Sequence, residues 1–576
     1  MIRYFCKQCN METKFSECPV CGERTELEGT SVYWCKSCKI PTYDEICPIC
    51  GQKGKHLTTD VRPVYPAERL LLEIIKGEPM KYREASVWKG SNSYYADGKR
   101  IDFSVSDTKE IEPNYIREKL AEYQEENRVN SFDVYAKRFV EANSARYDYI
   151  TSEACGYIRK AAEGYGKTDM FVSFSGGKDS TVVSDLVMRA LSDQQILHIY
   201  GDTTLEYPET LQYVKRFRKE HPKTPFLISR NNDKDFYDLC EKTSGPPSRV
   251  MRWCCTIFKT GAITKKIETT FKNKTRILAF QGIRRNESKA RNKYDRDSND
   301  SKIEKQLVVS PIIDWLDFDV WLYILSNNLD FNYAYKQGFN RVGCWCCPNN
   351  GNWSGFLSNI YMHNEYKKFY DILYSFAKKV GKSDWKDYID EGKWKARQGG
   401  NGLEISENVV VSFAPCALEE NAYNFTLSRP INTQLYTLFK PFGTLDFHLG
   451  NSRLGEVYVL DRENNQPILK LSGRQGKYEL KVSVLKKTSV FKNKTISETL
   501  IKDQITKFQT CIGCSACQSV CRFDALKVLN LEKGRVSTET ISYTIDEKKC
   551  VGCLECVKHF ENGCYMRKVL RTKKGR

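Results

Sequence analysis

Cysteine placement constrains this chain more than any other feature. Of its 24 cysteines, all but Cys155, Cys240, Cys346 and Cys416 fall into tight groups at the two ends and in the middle of 576 residues. Grouping of this kind is metal-ligand spacing, whereas a disulfide framework belongs to short secreted chains. The first fifty residues contain a repeat: "YFCKQCNMETKFSECPVCGERTE" returns 29 residues later as "YWCKSCKIPTYDEICPICGQKGK". Each copy pairs two CxxC knuckles eight residues apart. Cys6, Cys9, Cys18 and Cys21 can close one tetrahedral thiolate site, and Cys35, Cys38, Cys47 and Cys50 a second. The knuckles enclose too little apolar sequence to fold without an ion, so metal binding supplies folding free energy.

A chain of this length holds roughly four domains of ordinary size, and 40% hydrophobic content is enough to bury their cores. Lys and Arg outnumber Asp and Glu by 90 to 72. The net charge of +18 suits anionic partners such as nucleotides or nucleic acid, and equally a merely soluble basic surface. No run approaches the ~18 apolar residues of a membrane span, and "MIRYFCKQCN" lacks the apolar core of a signal peptide. A soluble, cytoplasmic protein without a membrane partner is expected.

The two repeats resemble short zinc ribbons, at 1–28 and 29–58; each reads as a zinc-stapled mini-domain, with nucleic-acid reading as the alternative. Residues 60–110 read as a small β and loop region, and 111–165 as a helical segment with apolar positions at helical spacing. Strand and helix then alternate. "MFVSF", "QILHIY" and "PFLIS" are strands, and Val182, Val183, Leu186, Val187, Ala190 and Leu191 trace one face of the first helix. This predicts an α/β multidomain protein whose core, 166–400, is a parallel sheet flanked by helices that binds ligands beyond the strands' carboxyl ends. Residues 405–505 read as β-rich, 506–566 return to cysteine, and the basic tail 567–576 reads as a disordered, solubilising end.

The turn "SFSGGKDS", Ser173 to Ser180, joins the first core strand to its helix. Gly176 and Gly177 let the backbone close on a bound group, the helix start offers free amides, Lys178 adds charge, and Ser175 and Ser180 add hydroxyls. It is an anion cradle. With "HIYGDTTLEYPET", "GIRRNESKAR" and "PIIDWLDFDVWLYI" following in order, residues 165–350 resemble the PP-loop superfamily of phosphoadenosine phosphosulfate (PAPS) reductases and related ATP pyrophosphatases. The resemblance implies an adenine nucleotide held by Ser173, Ser175, Gly176, Gly177, Lys178, Asp179 and Ser180, with Asp202 and Glu206 close by. Arg284, Arg285 and Arg291 would grip its sulfate or phosphate. Lys178, Asp179, Asp202, Arg284 and Arg285 would carry the chemistry.

The resemblance extends to "RWCCTIFK" and "NYAYKQGFNRVGCWCCPNN". In the family's iron-sulfur reductases a Cys-Cys pair and a later CxxC hold one 4Fe-4S cluster; the matching residues are Cys254, Cys255, Cys344 and Cys347. Adjacent cysteines suit a cluster better than a single zinc, which is the alternative. Two departures stand out. The reductases' C-terminal Glu-Cys-Gly-Leu-His motif is absent, so no nucleophilic thiol is assigned, and Cys155, Cys240, Cys346 and Cys416 read as buried inert thiols. The intact SGGKDS looks more like the ATP-splitting branch, which keeps ATP, with Mg2+, as a substrate.

"CIGCSACQSVC" has the CxxCxxCxxxC spacing of bacterial ferredoxins, and "CVGCLECVKHFENGC" repeats it with a longer last gap. Two such runs hold two 4Fe-4S clusters and exchange their fourth cysteines. Cys511, Cys514, Cys517 and Cys564 would hold one, and Cys550, Cys553, Cys556 and Cys521 the other. The combined reading is a reductase of PAPS or adenosine phosphosulfate, drawing on an electron donor through its own ferredoxin domain. The alternatives are an ATP pyrophosphatase that adenylates DNA or tRNA for sulfur insertion, and a non-enzymatic electron-transfer or nucleotide-sensing protein.

Overall fold

The computed structural model describes residues 2–573 apart from 14–17, 24, 92, 289–290, 300–302, 304, 397–411 and 531–540. Its centre is the α/β sheet expected from the alternation of strand and helix. Six strands lie in the order Phe226–Arg230, Leu197–Asp202, Met170–Phe174, Ile277–Phe280, Gln306–Val309, Asp297–Asn299. All neighbours are parallel except the last pair, which is antiparallel. Phe171, Val172 and all of Ile277–Phe280 are buried, as a strand covered on both faces requires. The helix Lys178–Ala190 buries Val182, Val183, Leu186 and Val187 against the sheet.

From Met170–Phe174 the chain builds outward through Leu197–Asp202 to Phe226–Arg230, then returns to the other side at Ile277–Phe280. The strand order therefore reverses between Met170–Phe174 and Ile277–Phe280, and a crevice opens there beyond the carboxyl ends. SGGKDS follows the first of these strands and GIRRNE follows the second. Both motifs reach the crevice for a topological reason.

Around the core sit several smaller units. Each cysteine repeat is a three-stranded antiparallel sheet, Ile2–Cys6 with Met11–Thr13 and Glu26–Thr30, then Val32–Cys35 with Ile40–Thr42 and Lys55–Thr58. Next comes a four-stranded antiparallel sheet from Arg62–Pro63 to Lys99–Ile101. It also holds a helix, Pro66–Ile75, in a stretch read as strands and loop; Pro at its start and the run Leu70, Leu71, Leu72 favour helix there. Helices Pro113–Glu122, Phe132–Ala142 and Ser144–Ala162 lead into the core.

The region read as β-rich, whose first residues lie outside those described, contains a six-stranded antiparallel sheet between Ser412–Pro415 and Glu479–Val484. That sheet shares one apolar core with Leu526, Val528, Ile541 and Tyr543 of the cysteine-rich C-terminal domain. The tail departs from its reading: Tyr565–Lys573 is a helix, because Tyr565, Met566 and Val569 are buried in the main core, and only 574–576 lie outside the described residues. Among the described residues no helix is long and apolar enough to cross a membrane.

Candidate active site and metal centres

The cradle is shaped by its own short bonds. Gly176 has φ +70, and a Cβ added there would lie 2.9 Å from Thr210 Cγ2, so the turn needs glycine. The Ser175 amide donates to Ser180 Oγ (3.2 Å), which itself donates to the Gly177 carbonyl (2.9 Å). Lys178 N–H donates to the Tyr335 hydroxyl (3.1 Å). A Cβ on Gly282 would stand 2.8 Å from the Asp179 backbone, so the turn after Ile277–Phe280 presses on the start of the helix.

That contact sets up a buried ionic network. Lys178 Nζ lies 2.9 Å from Asp179 and 3.2 Å from Asp317. Arg284 reaches the same two carboxylates at 2.6 and 2.7 Å, and donates to the Trp315 carbonyl. Burial opposes charge on every member, but the pairing outweighs it. Asp179 and Asp317 hold Lys178 and Arg284 above their ordinary values, while the two cations hold both carboxylates below theirs. Removing one partner leaves the other charge alone; the Asp317 side chain is 36% exposed, so solvent screening keeps the cost below the about 3–5 kcal/mol of a fully buried pair.

The network changes the picture of the arginines. Arg284 is buried and committed to Asp179 and Asp317, so it braces the cradle. Arg285 pairs with Asp314 and donates to the Tyr294 carbonyl. Asp202 accepts from the Thr204 amide at 2.8 Å and lies 3.6 Å from Arg230. None of these three lines the crevice.

The crevice itself is a cavity of about 1170 Å³. Ser173, Ser175, Gly177, Lys178, Asp179 and Ser180 form one wall, and Thr203, Glu206, Lys259, Arg291, Arg341 and Cys344 face it from the others. Glu206 accepts from the Thr203 amide and hydroxyl, and burial raises its carboxyl. Arg291 pairs with Glu287; burial, then the neighbouring Arg341, lowers its pKa. Among the described residues neither Lys259 nor Arg341 has an ion-pair partner, so their charge is available to an anion. Both lie inside segments singled out for their cysteines, "RWCCTIFK" and "NYAYKQGFNRVG". A basic residue beside a ligand cysteine was the signal that could have identified them.

Cys344 borders this cavity, 3.3 Å from Thr203 Oγ1 and bridged through its backbone to Glu206. Cys254 and Cys255 sit at the start of a π-helical turn, Cys255–Thr260, a widening that often marks functional sites. Burial pushes the Cys344 thiol up to about 12, and Cys347 upward as well. Cys155, Cys240 and Cys346 are buried. Cys416 is not: it is half-buried, and the backbone amide of Leu418 lowers its thiol.

The terminal cysteine groups differ in spacing. In each N-terminal group the four sulfurs lie within 4.8 Å of one another; Zn–S bonds of ~2.3 Å in a tetrahedron need about 3.8 Å between sulfurs, so both groups suit a zinc ion. At the other end the cysteines line two cavities. Cys511, Cys514, Cys517 and Cys564 border one of about 410 Å³, and Cys521, Cys550, Cys553 and Cys556 one of about 370 Å³. Cys556 also borders the first cavity, so the two spaces adjoin. Lys507, buried, borders it as well, and the sulfurs of Cys517, Cys556, Cys511 and Cys564 act on its ammonium.

The C-terminal domain packs directly on the turn that carries the central cysteine pair. A Cβ on Gly261 would stand 2.7 Å from the Ser519 carbonyl. Lys265 pairs with Asp524, Arg522 pairs with Glu268, and the Tyr565 hydroxyl donates to the Ser244 carbonyl (2.6 Å). Ile512, Cys514 and Ala516 share a core with Trp253, Phe258 and Cys346, against which Cys254, Cys344 and Cys564 also pack.

Comparison with known proteins gives matches to two parts of the chain. The family model of the phosphoadenosine phosphosulfate reductase domain matches residues 169–350, and that of the 4Fe-4S dicluster domain matches residues 510–559. Uncharacterized protein MJ0066 of Methanocaldococcus jannaschii is 30% identical over 298 residues, 51% of this chain and 57% of that protein. MJ0973 of the same organism is 30% identical over 263 residues, 45% of this chain and 60% of that one. The chain thus spans less than two thirds of the length of these two relatives. The adenosine 5'-phosphosulfate reductase of Oceanobacillus iheyensis is 28% identical over 217 residues, 36% of this chain and 86% of that enzyme. The crystal structure of a PAPS reductase from Candida auris, a phosphate complex, aligns at 14% identity and a TM-score of 0.27, covering 34% of this chain and 94% of that one.

Proposed function

We propose that this chain is a cytoplasmic iron-sulfur reductase of the PAPS-reductase type, which binds an adenine nucleotide and reduces PAPS or adenosine phosphosulfate to sulfite with electrons delivered by its own ferredoxin domain. One observation carries the reading: a single cavity has a phosphate cradle on one wall and, on the others, Cys344 with two cations, Lys259 and Arg341, that have no ion-pair partner among the described residues. In this reading the amides at the start of Lys178–Ala190 and the Ser175 and Ser180 hydroxyls take the nucleotide's phosphate. Lys259, Arg341 and Arg291 take the sulfate end. Lys178 and Arg284 keep Asp179 in place and hold the cradle's shape. Reduction breaks the bond between the bridging oxygen and sulfur. Two electrons and two protons convert the sulfonyl group to sulfite, and the oxygen leaves on the nucleotide.

Cys254, Cys255, Cys344 and Cys347 would hold a third cluster. The four thiolates match the four irons of a 4Fe-4S cluster, one ligand to each. Bound there, a 4Fe-4S cluster supplies redox-active iron beside the sulfate end of the cavity. The contact of Gly261 with Ser519 supports direct delivery from the ferredoxin domain without domain movement.

A second reading is favoured by the intact SGGKDS turn and by a polar cleft of about 910 Å³, lined in part by Arg230, Lys265, Lys266 and Ser519. It is an ATP pyrophosphatase that uses Mg2+ and adenylates DNA or tRNA for sulfur insertion. Anaerobic turnover of ATP, adenosine phosphosulfate and PAPS by the cluster-loaded chain separates the two. Sulfite from either phosphosulfate is the expected result; pyrophosphate from ATP, raised by DNA or tRNA, would replace the first reading with the second.

A further inference from the structure

The second cysteine repeat is built into the protein's interior. Its Val32, Trp34 and Ile40, and the ligands Cys35, Cys38 and Cys47, share a core with Leu316, Phe318 and Leu322 at the helix Asp317–Ser326. The Tyr43 ring lies 6.2 Å from that of Phe318, and Asn143 ties the repeat down by accepting from the Tyr43 amide (2.8 Å). Among the described residues, none of the first repeat's cysteines enters this core.

The chain leaving the second repeat contacts segments behind both walls of the nucleotide cavity within four residues. Asp60 accepts from the Asp317 amide (2.9 Å), the Phe318 amide (3.0 Å) and Asn286 Nδ2 (3.0 Å). The helix Asp317–Ser326 needs this from a distant segment, because its own N-cap is Leu316, which has no side-chain acceptor. Asp317 in turn holds Lys178 and Arg284, and Arg284 holds Asp179. Two residues further on, Arg62 is paired with Glu68 (2.6 Å) and donates to Asn340 Oδ1 (2.9 and 3.1 Å). Asn340 immediately precedes Arg341, on the opposite wall. Val61 between them is buried, so the strap cannot slide.

We propose that the second zinc ribbon is a positioning element of the nucleotide site. The ion at Cys35, Cys38, Cys47 and Cys50 holds the 59–63 strap, Asp60 sets the Asp317, Arg284 and Lys178 network, and Arg62 sets the loop that carries Arg341. The inference rests on the adenine-nucleotide reading above. It makes nucleotide affinity depend on one of two nearly identical zinc sites.

The test is anaerobic calorimetric titration of the full cluster-loaded chain with adenosine phosphosulfate, well below the melting temperature and with ferredoxin absorbance as the check on folding. Asp60→Ala is expected to weaken binding about tenfold, equivalent to about 1.4 kcal/mol. Asp60→Asn, which keeps one acceptor oxygen, is expected to recover part of the loss. In a Lys178→Ala background Asp60→Ala adds less than about twofold, because both act through Asp317. Cys47→Ser is expected to weaken binding at least as much as Asp60→Ala, and Cys18→Ser in the first ribbon to leave it unchanged. Equal binding by wild type and Asp60→Ala overturns this inference alone, as does equal weakening by Cys18→Ser and Cys47→Ser. No binding by the wild type overturns the nucleotide reading, and this inference with it.

Discussion

The two cysteine-rich ends of the molecule use the same ligand atom to different ends. At the N-terminus four sulfurs gather within 4.8 Å around each site, whereas at the C-terminus they stand back around cavities of about 410 and 370 Å³. Paired knuckles on short hairpins draw sulfurs in to the radius of one ion. A run that contributes three cysteines and borrows the fourth from its twin leaves room for a cluster. Both ends are duplicated, and in both the copies differ in what they touch. The second ribbon shares a core with the helix behind Lys178 and Arg284. At the other end Cys514 and Cys564 pack with Cys254 and Cys344, while Cys511 and Cys517 of the same set pack with the six-stranded sheet, as do Cys521, Cys550 and Cys556. Ligand spacing selects the inorganic group; packing selects which core each copy joins.

Substitutions can break that comparison. The largest effect is expected from Cys47→Ser, which removes a ligand from a site of the kind that contributes ~10 kcal/mol or more to folding. Zinc per chain should halve, and calorimetry should show the core around Phe318 melting well below wild type. Next comes Gly261→Leu. With the Thr256 carbonyl 2.6 Å and the Ser519 carbonyl 2.7 Å from the added Cβ, both the Cys255–Thr260 turn and the ferredoxin domain must shift, at about 1–3 kcal/mol for overpacking. Nucleotide affinity is expected to hold, while sulfite formation from dithionite-reduced protein falls about tenfold; an unchanged rate would rule out delivery across this contact.

Lys507→Met sharpens the comparison at the C-terminus. A buried cation beside Cys517, Cys556, Cys511 and Cys564 stabilises the reduced, more negative clusters. Its loss should make the midpoint more negative by on the order of 60 mV, the one-electron equivalent of a tenfold change. A redox titration followed by electron paramagnetic resonance reads this directly. The smallest effect is expected from Cys6→Ser: zinc per chain halves as in Cys47→Ser, but the main melting transition moves by no more than about 2 °C.

Several elements of the site were legible because they are local. The glycine at φ +70, the helix start and the serine hydroxyls all lie within Ser173–Ser180 and need only their neighbours. Arg284 shows the limit. Its motif marks it as an anion grip, yet it is held by Asp179, 105 residues earlier, and Asp317, 33 residues later. Nothing in "GIRRNESKAR" records that its own first residue, Gly282, is pressed against the start of the Lys178 helix. Lys259 and Arg341 lie within "RWCCTIFK" and "NYAYKQGFNRVG", but a charge acquires a role only when its lack of a carboxylate partner among the described residues is known.

From sequence alone followed the α/β alternation, the anion cradle and the pairing of cysteines into ion-sized and cluster-sized sets, since spacing and backbone conformation act over a few residues. Tertiary structure alone decided which arginines brace and which face the cavity, that Asp60 caps a helix 257 residues away, and that the second cysteine repeat shares a core with that helix while Cys514 and Cys564 share one with Cys344. Those outcomes depend on how distant segments pack around one sheet, and burial makes their ion pairs and hydrogen bonds strong only after that packing has excluded water.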